Sequence, residues 1–263
     1  MKNKIQILLV LSLIILFLTP QQQIYGTTCK CSLHQNHDNM NSVLWFQQSA
    51  EAYALYYQGF HLARLKLDKA RKQYSDKKKA IILDVDETVL NNSPFMAHLI
   101  KQGISFEDGW DQWVKKAEAK ALPGSLDFLN YANQFGIQIF YITNREQHLY
   151  KPTEMNLKKE GFPQVNPDHL LMKEKKHSKE ERRQKILRSY DVVLFLGDNL
   201  IDLSKNFDGK TAVERKNIMK SMEKDFEDRF IVFPNPMYGD WEKSLYLNSK
   251  NLPDKHSIIK AYQ

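Results

Sequence analysis

The chain has 263 residues, a hydrophobic content of 42% and a formal net charge of +7. This length and apolar content suffice for one large core, and the 26% of charged residues is ordinary for a globular protein. Cys29 and Cys31 are too close in sequence to bridge each other well, which argues against a disulfide framework. The basic excess can attract anions. The sequence does not, however, show the basic patch interleaved with aromatic residues that would indicate nucleic-acid binding.

Residues 1–28 have the layout of a secretory signal peptide. A basic start precedes an almost entirely apolar run at residues 5–18, which is rather short for a membrane-spanning helix. An uncleaved membrane anchor is the alternative. Cys29 could carry lipid as the first residue of a bacterial lipoprotein, although residues 26–28 lack the usual lipid-attachment sequence. We expect an exported protein of the periplasm, outer membrane or cell surface, either free or lipid-anchored through Cys29.

Residues 29–40 are polar and predict a tether, and residues 41–263 are predicted to form one domain. From Ser42 to about Tyr74, apolar and aromatic residues recur three and four positions apart, which predicts helical structure. We interpret this stripe as a packing face; its members are Leu44, Tyr53, Tyr56, Tyr57, Phe60, Leu62 and Leu65.

Four apolar segments predict strands: residues 80–83, 137–145, 191–198 and, more weakly, 230–233. Continuous apolar runs suit parallel strands that are buried on both faces. Helical stretches at 125–135 and 178–189 precede two of these segments. Strands that alternate with helices predict an α/β fold, a doubly wound parallel sheet flanked by helices.

The interval between the first two predicted strands is too long for a simple crossover. Residues 94–122 contain two tryptophans and a short helical pattern, and Pro123-Gly124 follows them. We therefore predict a small, mostly helical cap inserted at about 94–122. Residues 205–229 are rich in charge and predict an exposed helical excursion.

Three predicted strands end in polar residues: Asp84-Val85-Asp86, Thr143-Asn144-Arg145 and Gly197-Asp198-Asn199. In open parallel sheets, ligands bind outside the carboxyl ends of the strands, where the strand order reverses. Carboxylates gathered there repel one another unless a cation neutralises them or protons stay bound. Mg²⁺ fits, because it takes few protein carboxylates and keeps positions for water and phosphate oxygens.

Longer strings around these aspartates resemble a known enzyme family. Residues 84–90, D-V-D-E-T-V-L, are similar to the first motif, D-x-D-x-T, of the haloacid dehalogenase (HAD) superfamily of phosphatases. Residues 81–93 and 193–203 together resemble the bipartite signature of the bacterial class C acid phosphatases, which are secreted or lipid-anchored nucleotidases. The resemblance extends over nearly everything after residue 40 and implies a HAD-like fold. Leu203 departs from it, since the family commonly has Phe, and we expect only a packing difference.

The resemblance implies a role for each matching acidic residue. Asp84 would be the nucleophile that attacks phosphorus to give an aspartyl-phosphate. Asp86 would protonate the leaving alcohol and then deprotonate the water that opens the intermediate. Asp84, the backbone carbonyl of Asp86, and Asp198 would bind Mg²⁺, and Asp202 would complete the outer carboxylate cluster.

The same resemblance implies the groups that bind substrate. Thr143 and Asn144 would donate hydrogen bonds to phosphate oxygens. Lys179 would neutralise the phosphate, with Lys176 as the alternative. Trp110 in the cap and Tyr238 align with positions where nucleosides stack, although ordinary packing is an equal interpretation for both.

Two neighbouring residues have simpler interpretations. Glu87 is interpreted as a solvated loop carboxylate. Arg145 either touches substrate or pairs with a neighbouring acid.

The sequence therefore predicts an exported, Mg²⁺-dependent acid phosphatase that hydrolyses nucleoside 5′-monophosphates and similar small phosphomonoesters. The alternative is a non-catalytic surface protein that binds or stores nucleotides on the same fold; retention of Asp84, Asp86, Lys179 and Asp198 argues against it. A phosphotransferase or mutase would keep the same aspartates. Small phosphate esters are the expected partners rather than nucleic acid, and the resemblance is compatible with a homodimer formed through the amino-terminal helices.

Overall fold

The chain folds around one central sheet, and the computed structural model describes residues 39–106, 109–174, 178–247 and 258–259. The strands are β1 (Lys79–Leu83), β2 (Leu90–Asn91), β3 (Lys120–Ala121), β4 (Gln138–Glu146), β5 (Leu170–Lys173), β6 (Asp191–Gly197) and β7 (Phe230–Val232). The α-helices are α1 (Met40–Gln48), α2 (Ala50–Ala70), α3 (Ser93–Gln102), α4 (Trp110–Lys116), α5 (Ser125–Gln134), α6 (Tyr150–Glu160), α7 (Glu180–Ser189), α8 (Leu200–Leu203), α9 (Ala212–Ser221), α10 (Glu223–Asp228) and α11 (Asp240–Lys243).

Most predictions for the amino terminus concern residues outside those described. The predicted signal peptide (1–28), the lipid-carrying Cys29 and the predicted tether up to residue 38 all lie there. Helix α1 begins at Met40, the last residue assigned to the tether. Within the described ranges, no helix is both long enough and apolar enough to cross a bilayer.

The five-stranded sheet has the order β5-β4-β1-β6-β7, and all neighbouring strands are parallel. From β1 the chain runs outward through β4 and β5, then crosses to β6 and β7 on the other side. The order therefore reverses at β1, which places a crevice at the carboxyl end of this strand. This topology confirms the doubly wound parallel sheet. Strand β5, at one edge of the sheet, was not predicted.

Side chains of β1 alternate between the two faces of the sheet, and both faces are covered. Ile81 and Leu83 pack in the larger apolar cluster, which includes Phe60 of α2. Ile82 packs in a smaller cluster on the opposite face, with Ile186 of α7. Burial on both faces is why the strand sequences read as uninterrupted apolar runs.

The stretch from Ser42 to about Tyr74, predicted to be helical, holds two helices, α1 and α2. Ser49 has an extended backbone, and its hydroxyl accepts a hydrogen bond from the Ala52 amide at 3.0 Å, so Ser49 caps α2. The predicted packing stripe is only partly right, because it merged two faces of the helix. Tyr56 and Phe60 are buried, whereas five other members are exposed: Leu44, Tyr53, Tyr57, Leu62 and Leu65.

The region predicted to be a cap holds α3 and α4. Strand β2, just before this region, pairs antiparallel with β3 at its end, with Leu90 opposite Ala121. This small sheet was not predicted, and it brings the two ends of the inserted region together beside the carboxyl end of β1. Residues 205–229, predicted as a helical excursion, hold α9 and α10.

Candidate active site

A pocket of about 640 Å³ opens where β1, β4 and β6 end. Its walls come from these strand ends, from the cap and from the segment around residues 237–243. The lining includes Asp84, Asp86, Asn144, Arg145, Lys179, Asp198, Asp202, Phe106, Trp110 and Tyr238. Most of the residues predicted for the site therefore share one cavity.

Three carboxylates gather at the ends of β1 and β6. Asp84, Asp198 and Asp202 each offer an oxygen, and these oxygens lie within 4.8 Å of one another. Strands β1 and β6 pair side by side, and the Asp84 amide donates to the Leu196 carbonyl at 3.0 Å, which brings Asp84 next to Asp198. Such oxygens at this spacing suit a hard divalent cation.

Asp202 reaches this cluster because the chain turns sharply after β6. Asn199 and Asp202 form a capping box at the start of α8, and the Asn199 amide donates to Asp202 Oδ2 at 3.1 Å. Gly197 makes room for this turn. A Cβ atom at Gly197 would lie 2.5 Å from the Asp202 Cβ atom.

Lys179 sits immediately before α7 and brings a positive charge to the carboxylates. Its buried ammonium group contacts Asp84 and lies 2.7 Å from Asp202. Burial lowers the pKa of Lys179, but the carboxylates of Asp202 and Asp84 outweigh this effect and raise it, so the group stays charged. Its binding of phosphate stays a prediction. Lys176, the alternative, lies outside the described residues.

The carboxylates themselves resist ionisation in this setting. Burial raises the pKa of Asp84 to about 7, against the opposing effect of Lys179, and the charges of Asp202 and Asp86 add to the rise. Burial also raises the pKa of Asp198, and repulsion from Asp202 and Asp84 adds to the rise. Asn235 donates to this carboxylate at 2.8 Å, which opposes the rise. A divalent cation would remove the cause of both shifts, since it replaces protons in neutralising the cluster.

Asp86 faces a different set of partners. The Arg145 guanidinium donates to Asp86 Oδ1 from Nη2 at 2.8 Å and from Nε at 3.0 Å. The Thr143 hydroxyl donates to Asp86 Oδ2 at 3.2 Å. Arg145 therefore pairs with a neighbouring acid, which was one of its two interpretations.

Thr143 and Asn144 are held by an arginine, Arg182, that was not predicted to belong to the site. The buried Arg182 donates to the Thr143 carbonyl at 2.6 Å and to Asn144 Oδ1 at 3.0 Å. The Thr143 side chain is fully buried, and its oxygen also accepts from the Arg145 amide at 3.1 Å. The contacts of both residues with phosphate stay predictions. The only signal for Arg182 was its place in a charged helix, which is also typical of solvated arginines.

The interpretation of Glu87 as a solvated carboxylate is wrong. Its side chain is fully buried, and its backbone adopts the left-handed conformation with φ 52°. The carboxylate accepts from the Asn92 amide at 2.7 Å and from the Tyr238 hydroxyl. Burial raises the pKa of Glu87, and repulsion from Asp86 adds to the rise. These hydrogen bonds explain why an acidic loop residue can lie in the interior.

Aromatic rings form the cap side of the pocket. Phe106 stacks on Trp110, with ring centroids 5.1 Å apart, and its ring lies 5.9 Å from that of Tyr238. Trp110 and Tyr238 both line the pocket, as expected if they hold a planar leaving group. Stacking by these two residues stays a prediction.

Known proteins share this arrangement of sheet and sequence. Residues 20–241 match the family described as HAD superfamily, subfamily IIIB (acid phosphatase). The crystal structure of the class C acid phosphatase from Bacillus anthracis with tungstate bound aligns with a TM-score of 0.83 and 42% identity, over 87% of this chain and 99% of that chain. This chain belongs to the class C acid phosphatases. The family resemblance predicted from the sequence is thereby confirmed, as is the fold class.

Plant proteins are more distant relatives of this class C acid phosphatase. The stem 31 kDa glycoprotein of Glycine max is 30% identical over 167 residues, which are 60% of this chain and 58% of that protein. Acid phosphatase 1 of Solanum lycopersicum is 33% identical over 82 residues, which are 31% of this chain and 32% of that protein. The chain thus spans less than two thirds of the length of these curated relatives.

Proposed function

We propose that this protein is a Mg²⁺-dependent phosphomonoesterase that cleaves nucleoside 5′-monophosphates and similar small esters through an aspartyl-phosphate on Asp84. One observation carries the proposal. The buried ammonium of Lys179 lies against Asp84, which lies beside Asp198 and faces the same pocket as Asp86. Membership of the acid phosphatase subfamily supports phosphoryl chemistry at this site.

The proposed metal fits the donor set of the chain. Asp84, the backbone carbonyl of Asp86, and Asp198 would hold Mg²⁺, which accepts oxygen ligands and keeps positions for water. Asp202 would belong to the outer shell, because its carboxylate is already bound to Lys179 and to the Asn199 amide. When bound, Mg²⁺ would screen the repulsion between an anionic phosphate and the attacking carboxylate.

The proposed reaction divides into two steps that use the two carboxylates in turn. An Asp84 oxygen attacks phosphorus, the ester P–O bond breaks, and the leaving alcohol oxygen takes a proton from Asp86. In the second step a water oxygen attacks phosphorus and gives a proton back to Asp86. The bond between phosphorus and Asp84 then breaks, which releases inorganic phosphate and restores both residues.

The phosphate would be held by groups near the end of β4 and at the start of α7. Lys179 would neutralise a phosphoryl oxygen with its buried ammonium group. The Asn144 amide oxygen accepts from Arg182, so the amide nitrogen is the part that would donate to phosphate. The Thr143 hydroxyl now donates to Asp86 and would have to turn to reach phosphate.

The nucleoside preference is proposed from the aromatic side of the pocket. Trp110 and Tyr238 line it together with Phe106, and planar bases stack favourably on such rings. Sugar phosphates offer no comparable surface, so we expect them to be poorer substrates.

A panel of phosphate esters, assayed with Mg²⁺ and with a chelator, tests the proposal. We expect the wild-type protein to release phosphate only with metal, and Asp84→Asn to abolish release while keeping the fold. Asp208→Asn is the matched control, since Asp208 is exposed and outside the pocket. Substantial turnover by Asp84→Asn would contradict the nucleophile assignment. Nucleotide binding without phosphate release would favour the non-catalytic alternative, and a phosphorylated added alcohol would favour a phosphotransferase.

We also propose that the protein is exported, on the evidence of the signal-like residues 1–28. Mass spectrometry of the mature protein tests this proposal, because cleavage near residue 28 leaves a defined new amino terminus. A lipid-anchored form would carry an acyl mass on Cys29 and would lose it in Cys29→Ser. Recovery of the uncleaved chain from the cytoplasmic fraction would contradict export.

A homodimer is proposed from the exposed apolar side chains of α2, which include Tyr53, Tyr57, Leu62 and Leu65. Apolar side chains clustered on one helix are typical of surfaces that another chain covers. Sedimentation of the wild-type protein beside Leu65→Glu tests this proposal. We expect a dimer that dissociates in the variant, and a monomer at every wild-type concentration would contradict it.

A further inference from the structure

We propose that Asn92 is a positioning residue that holds the Asp86 carboxylate in place and ties it to the cap. The inference rests on the proposed function, in which Asp86 gives a proton to the leaving alcohol. It assigns a task to a buried amide that touches neither the phosphate-binding groups nor the three-carboxylate cluster.

The Asn92 side chain is diverted from its ordinary use. Asn92 is the N-cap residue of α3, a position where asparagine usually accepts a hydrogen bond from the first turn of the helix. In the described part of the chain its side chain makes no such capping bond. Instead, the fully buried Nδ2 donates to Asp86 Oδ1 at 2.8 Å and to Glu87 Oε2 at 3.4 Å.

The chemistry of its neighbours fixes which way the Asn92 amide points. An indole N–H can only donate, and Trp113 Nε1 lies 2.8 Å from Asn92 Oδ1. Arg145 Nη2, which also can only donate, lies 3.4 Å from the same oxygen. If the amide were flipped, its NH₂ group would face the N–H groups of Trp113 and Arg145, and its oxygen would face the carboxylates of Asp86 and Glu87. The Asn92 NH₂ group must therefore point toward Asp86.

Asn92 therefore completes the set of donors that orient Asp86. Arg145 and Asn92 both donate to Oδ1, and Thr143 donates to Oδ2. Asn92 differs from the other two because its oxygen is bound to Trp113 on the cap helix α4. The orientation of the proposed acid thus depends on where the cap lies.

A misplaced acid should matter most when the leaving group needs its proton. An alkoxide is a poor leaving group and requires protonation as the P–O bond breaks, whereas a nitrophenolate leaves without it. A well-placed general acid contributes about 10² to 10⁴ in rate. Loss of Asn92 should therefore reduce hydrolysis of an alkyl phosphate much more than hydrolysis of 4-nitrophenyl phosphate.

The experiment measures kcat/KM with saturating Mg²⁺ for glycerol 2-phosphate and for 4-nitrophenyl phosphate, because this constant includes departure of the leaving group. We expect Asn92→Ala to lower the value for the alkyl ester about tenfold or more beyond the loss for the aryl ester. Trp113→Phe removes only the indole donor, and we expect a smaller change in the same direction.

Asn156→Ala is the matched control. Asn156 is also a buried asparagine, and it exchanges two hydrogen bonds with the Ala119 backbone at 2.8 and 3.1 Å, away from the pocket. We expect it to change both esters by the same factor. Equal losses for both esters in Asn92→Ala would overturn the inference, and if that variant does not fold, equal losses in Trp113→Phe would do so. Wild-type protein that cleaves neither ester would instead overturn the proposed function.

Discussion

Arg145 and Asp86 form a buried ion pair at the edge of the pocket, joined by hydrogen bonds of 2.8 and 3.0 Å to one carboxylate oxygen. The Arg145 side chain is 1% exposed and that of Asp86 is 17% exposed. A guanidinium removed from water needs a compensating charge, and Asp86 supplies it. The pair thus links the stability of the fold to the orientation of the proposed general acid.

Replacing Arg145 by Met should lower both stability and activity. Removing one partner of a buried pair leaves the other charge uncompensated, so we expect the free energy of unfolding to fall by about 3 to 5 kcal/mol. Urea denaturation checks this value. In the control Arg229→Met, an exposed pair with Asp225 is lost and the cost should stay below about 1 kcal/mol. Equal costs in the two variants would contradict the argument.

Lys179→Met should abolish most of the activity. The change removes the ammonium group that contacts Asp84 and Asp202, and loss of one such charged donor typically costs about 10² to 10³ in kcat. Lys176→Met is the comparison variant, because the sequence alone leaves Lys176 as the alternative phosphate-binding lysine. We expect it to remain close to wild type in phosphate release, and the opposite ranking would reassign the phosphate-binding lysine.

Gly197→Ala should damage the site without removing any charged group. The added methyl would lie 2.5 Å from the Asp202 Cβ atom and 2.7 Å from Oδ2, so we expect Asp202 to leave the position in which it contacts Lys179. A shift of this size typically costs about 10² in rate, and we expect a matching rise in the Mg²⁺ concentration needed for half-maximal activity.

Gly59→Ala provides the steric control for this variant. Its methyl would lie 2.6 Å from the Phe233 ring, inside the apolar cluster and away from the pocket. We expect a lower melting temperature with an unchanged Mg²⁺ requirement. If Gly197→Ala and Gly59→Ala change the Mg²⁺ requirement by the same factor, the loss of activity in Gly197→Ala does not arise from displacement of Asp202.

Metal removal should make stability depend on pH in a defined direction. The folded-state pKa of Asp84 is raised from 3.8 to about 7, so between these values the folded state binds more protons than the unfolded state. The free energy of unfolding of the metal-free protein should therefore fall as pH rises from about 4 to about 7. Mg²⁺ takes the place of these protons. The increase in melting temperature on adding Mg²⁺ should therefore become larger as pH rises over this range.

Melting curves with and without Mg²⁺, recorded at several pH values across this range, check the prediction. In Asp84→Asn the fall in stability of the metal-free protein should be smaller, because this group no longer titrates. A Mg²⁺-induced shift that is constant or shrinks as pH rises would contradict the assignment of Asp84 to the metal.

The sequence predicted the central strands and the strand-end aspartates well, because burial on both faces leaves a strong pattern. β1 and β6 are uninterrupted apolar runs, and Asp84 and Asp198 follow them directly. Strand β5 left almost no signal, since it has four residues, only alternate ones of which are buried, and lies at the sheet edge. Short edge strands need few apolar residues and read as loops.

The partners of Glu87 and Asn92 in the tertiary structure could not be predicted, because they come from other parts of the chain. The burial of Glu87 depends on Tyr238, 151 positions away, and the use of Asn92 depends on Trp113, 21 positions away. The exposed residues of α2 were misjudged for a related reason. Spacing identifies an apolar helix, but it does not show which face the sheet covers.

Lys179 and Asp84 meet across 95 positions of sequence, and Tyr238 meets Glu87 across 151. Contacts of such separation form late, since both halves of the sheet must dock before they exist. A chain still leaving the ribosome therefore has Asp84 without the lysine that lies against it in the folded protein. We expect phosphatase activity to begin only once the segment that carries Lys179 has been made and has docked.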